Sequence, residues 1–208
     1  MGQRIQIVVQ IPAIYWNEDN PNNKPEKVLV YHNQWLFGMN FVQYNARLIK
    51  AIKAMIKRQS SEYPIEYKDL VAEAILHANN YDLSYITNTH IYDDDCDNNN
   101  EDLIKAKSAS DFLSFWDNNN GYFYIKISDD KEVYYDILSG LEDADEVKAI
   151  GPKKYLNQFY TDAKIIDMGA YEAIKAIHYL QNSKRIDCLK ELTKFREELK
   201  KLGGKDGI

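Results

Sequence analysis

The sequence predicts an α+β fold: a mixed or antiparallel sheet of about five strands packed on helices, with a helical C-terminal third. Two pairs of segments alternate polar and apolar residues as half-buried strands do, each pair joined by turn-forming residues. Strand and helix patterns interleave without a repeated strand–helix–strand unit. After Gly151-Pro152 the apolar spacing is helical almost to the end. We expect an α+β unit over residues 1–150 and a helical part, 151–208, packed on it.

Taken in order, "QRIQIVVQI" (3–11) reads as a strand with Ile5, Ile7 and Val9 on one face and Arg4, Gln6, Val8 and Gln10 on the other. "NEDNPNNKPEK" (17–27) holds two prolines and four asparagines and no apolar residue, so it is a loop. Residues 28–31 form a second strand and close a hairpin with the first. Gly38 then leads to Asn40, an expected N-cap, and to a helix reaching Arg58. Phe41, Leu48, Ile52 and Met55 recur there at helical spacing, with Val42, Ile49 and Ile56 beside them. A second helix covers about 66–79, between Pro64 and Asn79-Asn80.

"LSYITNTHIY" (83–92) has strand composition, and "DDDCDNNNED" after it reads as a solvated loop. A short helix is expected near 109–116. "YFYIKI" and "EVYYDIL" joined by "SDDK" are the clearest hairpin, with Phe123, Ile125 and Ile127 on one face and Tyr122 and Tyr124 on the other. Helices over about 152–160, 167–182 and 184–202 complete the chain. The last carries Cys188, Leu192, Phe195 and Leu199 as an apolar seam, which serves either as intramolecular packing or as the joint of a homo-oligomer.

Composition excludes several classes. The 208 residues are 45% hydrophobic, include 16 tyrosines and carry a net charge of −6, which is a globular and not a disordered balance. No run approaches the roughly 18 apolar residues of a membrane span. The N-terminus lacks the apolar core of a signal peptide. Two cysteines in unlike settings, Cys96 among carboxylates and Cys188 in a helical run, suit a reducing, cytoplasmic environment. A pI near 5.3 opposes broad nucleic-acid binding.

No motif assigns a reaction, a metal or a cofactor. The acidic loop fails the calcium pattern, which requires glycine at its sixth position and glutamate at its twelfth. The four histidines, His32, His77, His90 and His178, do not pair at metal-ligand spacing. Phosphate-cradling glycine loops are absent, as is a nucleophile elbow.

Charge patterning is more informative. The 40–58 helix carries Arg47, Lys50, Lys53, Lys57 and Arg58 and no acidic residue, inside an acidic protein. Ahead of it stand His32, Asn33, Gln34, Trp35 and Phe37. In one reading His32, Gln34, Trp35, Asn40, Arg47 and Lys50 make a nucleotide pocket: polar groups on a base or sugar, the indole stacked, the cations on a phosphate. In the other, the aromatics pack a corner of the core and the lysines solvate the back of the helix. A further class, an enzyme using His32 or a carboxylate as acid or base on a nucleotide-like substrate, has no marking motif.

"QRIQIVV", "VLVYHNQWLFG" and "DNNNGYFYIKI" together resemble small phage-encoded proteins of low-GC Gram-positive hosts, over at most the first 130 residues. The resemblance transfers no functional residue. Together with the basic helix, the resemblance implies a non-catalytic accessory factor of a phage or mobile element, one that counters host defence by binding a host defence protein or an anionic nucleotide signal.

Overall fold

The structure, a computed structural model, describes residues 4–12, 26–34, 36–59, 66–78, 99–114, 121–139, 148–162, 164 and 170–203. The strands are β1 (Arg4–Ile11), β2 (Lys27–Gln34), β3 (Tyr122–Ile127), β4 (Val133–Leu138) and β5 (Ala149–Ile150). They form one five-stranded sheet in the order β2-β1-β3-β4-β5. The β1–β3 pair is parallel and the others are antiparallel, so the sheet is mixed and the fold is α+β. The helices are α1 (Gly38–Arg58), α2 (Tyr67–Ala78), α3 (Asn99–Lys105), α4 (Ala109–Ser114), α5 (Pro152–Leu156), α6 (Tyr171–Gln181) and α7 (Cys188–Gly203).

Strand alternation divides the core into two layers. Ile5, Ile7, Val9, Phe123, Ile125 and Ile127 face α1, α2, α5 and α6. Val8, Val28, Val30, Tyr122 and Tyr124 face α3, α4 and α7. Both alternations are legible in the sequence; the second helical layer is not. Because that layer covers the polar side of β1, Gln6 and Gln10 are buried. Gln10 is paired there: the Tyr124 hydroxyl donates to its Oε1 at 2.6 Å, and its Nε2 donates to Glu26 at 2.7 Å.

The C-terminal helices do not make a layer of their own. α5 and α6 join the α1 side, while α7 crosses to the other. Its seam of Cys188, Leu192, Phe195 and Leu199 is buried against the protein's own sheet, α3 and α4. The alternative use of these four residues as a homo-oligomeric joint is thereby corrected, since apolar surface already covered within the chain is not available to a second copy.

Besides α5, which stops at Leu156, and α7, which starts at Cys188 because 184–186 pair with β4, three boundaries differ from expectation. β2 continues to Gln34, because β1 pairs it along its whole length, from Arg4 opposite Gln34 to Ile11 opposite Lys27. His32 and Asn33 are therefore ladder residues and not a strand end. α1 starts at Gly38 with extended Phe37 as its cap residue, because the Phe37 carbonyl accepts the first helical bond, from Phe41 N–H. Asn40 sits exposed inside the first turn and does not cap it. Gly38 adopts φ +56°, and a side chain there would meet the Tyr160 ring at 3.0 Å. Lastly, the end of the expected acidic loop is α3. Asn100 accepts from Val28 N–H at 3.1 Å and donates to the Glu26 carbonyl at 2.9 Å, which ties the helix to β2.

The expected strand over 83–92, together with His90, Cys96 and Trp116, lies outside the described residues.

Candidate functional site

Three cations of α1, Arg47, Lys50 and Lys53, are engaged by neighbouring helices. Arg47 Nε donates to the Ala78 carbonyl at the end of α2, at 2.9 Å. Its guanidinium is half-buried, and burial lowers its pKa against the opposing influence of Tyr44. Lys50 is exposed, with its ammonium 4.5 Å from the centre of the Tyr179 ring on α6; Lys53 approaches the same ring at 5.9 Å. Burial lowers the Lys53 pKa, Glu132 opposes that shift and Lys184 adds to it.

His32 shares the strand face of Val28 and Val30, the one turned toward α3 and α7, whereas Arg47 and Lys50 project from a helix on the other side of the sheet. The structure does not bring His32, Asn40, Arg47 and Lys50 together. Trp35 and the side chain of Gln34 lie outside what is described.

A different set of residues converges. β5 runs directly into Gly151 and α5, and Pro152 occupies the first helical position, where its missing N–H costs nothing. Across from α5, α6 ends at Gln181 and the chain returns to the sheet. There Tyr135 N–H donates to the Lys184 carbonyl at 3.1 Å and Ile186 N–H donates to the Tyr135 carbonyl at 3.1 Å. This short parallel bridge extends the sheet beyond β4 and sets Arg185 beside Asp136. Between α5 and this return lies an open cleft of about 510 Å³, lined by Gly151, Pro152, Lys153, Lys154, Asn157, Gln181 and Arg185.

Among the described residues the lining contains three cations, two amides and no carboxylate. Arg185 is braced from behind: its Nη2 donates to Asp136 Oδ1 at 2.7 Å and to the Ile150 carbonyl at 3.3 Å. Asp136 is 1% exposed, so its charge meets the guanidinium and not solvent. Nη1 is turned toward Gly151, 3.9 Å from where a side chain would begin. Lys153 pairs with Asp162 at 3.0 Å, and its hydrogen bond holds the Asp162 carboxyl below the usual carboxylate range.

A second hollow of about 320 Å³ adjoins the cleft. It is lined by Lys153, Asn157, Asp162, Ile174, Ile177, His178 and Gln181. Lys153, Asn157 and Gln181 belong to both, so the two lie side by side.

The geometry suits binding an anion. Among the described residues no cluster of three or more His, Cys, Asp or Glu could hold a metal ion. The Cys188 thiol is pushed well up, by burial first and then by Asp136, and stays protonated. No helix of the described residues is long and apolar enough to cross a membrane.

Sequence reasoning missed this site. Its one local signal is the "GPKK" run, two lysines at the mouth of a helix; Arg185 joins them only through the bridge to Tyr135. No protein-family model matches the chain, and no curated protein or solved structure matches it either.

Proposed function

We propose that this is a non-catalytic binding protein whose ligand is a small phosphate-bearing anion, held by Lys153, Lys154 and Arg185 in the cleft beside α5. The observation that carries the reading is the lining itself: among the described residues it holds three cations and no carboxylate, in a protein of net charge −6, the carboxylates paired to Lys153 and Arg185 standing outside it. Guanidinium nitrogens held on one side by a buried carboxylate are oriented before a ligand arrives, so less rotamer freedom is lost on binding. Hydrogen bonds to charged groups contribute roughly 1.5–3 kcal/mol each, less where the site is open to salt. The wider role, an accessory factor of a phage or mobile element that withholds an anionic nucleotide signal from host defence, draws its support from the resemblance of the N-terminal segments.

The test is thermal unfolding with inorganic pyrophosphate. At about one hundred times its dissociation constant a ligand stabilises by roughly 2.7 kcal/mol, which raises Tm by roughly 5–10 °C in a chain of this size. The shift should shrink at high salt and vanish in Lys153→Glu/Lys154→Glu. An equal shift in that variant would overturn the assignment.

A further inference from the structure

The hollow next to the cationic cleft has different chemistry, and we infer that it seats the base of a nucleotide whose phosphate lies at Arg185. This rests on the anion-binding reading above and adds a subsite to it. α6 presents Ile174, Ile177, His178 and Gln181 at spacings of three and four, so all lie on one helix face. Ile174 is 41% exposed although α6 packs on α1 and α5, so its aliphatic surface is left on the hollow's wall. A flat heteroaromatic ring fits such a wall, and its edge needs groups that both donate and accept. Gln181 supplies both, and Asn157 and His178, which also bond Asp162 and Asn182, add further polar groups.

Charge fixes the orientation. Asp162 borders the apolar hollow and is absent from the lining of the cationic cleft, where Lys154 and Arg185 stand. A phosphate placed in the hollow would face that carboxylate directly; one placed at Lys154 and Arg185 meets, among the described lining residues, cations and amides, with Asp162 beyond them paired to Lys153.

Isothermal titration with pyrophosphate, ribose 5-phosphate and the four common nucleoside monophosphates separates the possibilities. At least one nucleotide should bind about tenfold more tightly than ribose 5-phosphate, an increment of about 1.4 kcal/mol. Ile174→Ser and, independently, Gln181→Ala should each cut the ratio of nucleotide to pyrophosphate affinity at least about fivefold. Circular dichroism shows whether each variant is folded, and having two guards against the loss of either. If pyrophosphate binds while the nucleotides bind no better than ribose 5-phosphate, the base seat is refuted and the anion site stands. If neither pyrophosphate nor any nucleotide binds, both fall.

Discussion

Replacing Arg185 with methionine tests how the sheet margin and the cleft are joined. The substitution keeps an unbranched stem and removes the guanidinium. Asp136, 1% exposed in the intact protein, would then keep, among the described residues, the Ile137 N–H at 2.9 Å, the Cys188 N–H at 3.5 Å and the Cys188 thiol to hold its charge. Stranding one member of a fully buried ion pair costs about 3–5 kcal/mol. The Arg185 side chain is 42% exposed, so water can follow it and part of that cost is recovered. We expect a loss of about 2 kcal/mol, which lowers Tm by roughly 4–8 °C. Asp136→Asn keeps the shape and leaves Arg185 able to turn to solvent, so it should cost about 1 kcal/mol. The double variant should cost about 2 kcal/mol and not the sum, because the stranded charge is gone. Urea denaturation followed by far-ultraviolet circular dichroism measures all four proteins. Effects additive within about 0.5 kcal/mol would refute the coupling. Arg185→Met should also bind pyrophosphate more weakly.

Two further outcomes follow from burial. Leu192→Ala removes a fully buried side chain from the α7 seam and should destabilise by about 2–5 kcal/mol with no change in mass by sedimentation; a change in assembly state with intact stability would return the seam to an intermolecular role. In alkali, Tyr135 is one of several buried tyrosines that lower stability: burial raises its pKa from 10.0 to about 12, Arg185 opposing and Asp136 reinforcing. The folded protein keeps a proton that the unfolded chain releases, so the Tyr135 contribution is full below pH 10 and falls by about 2–3 kcal/mol toward pH 12. Tyr44, Tyr124 and Tyr155 are raised by burial in the same direction. Tyr135→Phe should flatten the slope while losing the hydroxyl's 2.5 Å bond to the Leu180 carbonyl; an unchanged slope would contradict the assignment.

Periodicity by itself determined the α+β class, the two hairpins, the faces of β1 and β3 and the apolar stripe of α1. Each is a repeat of two or of three and four residues, and burial imposes that repeat on any sequence that must cover one side of an element. Tertiary structure alone decided what those faces meet. Gln6 and Gln10 are polar by pattern yet buried, because α3, α4 and α7 close over them. Residues 99–102 have loop composition, yet the contact of Asn100 with β2, more than seventy residues away in sequence, holds them in α3. The cationic stripe of α1 is legible, but its use is not: Arg47 and Lys50 turn to Ala78 and Tyr179, partners set by how α2 and α6 dock. The cleft shows the same division, since Lys153 and Lys154 are visible as neighbours while Arg185 reaches them by a backbone bridge to Tyr135. Local spacing encodes which side of an element is apolar; which charges share a space depends on chain reversals that no short-range pattern records.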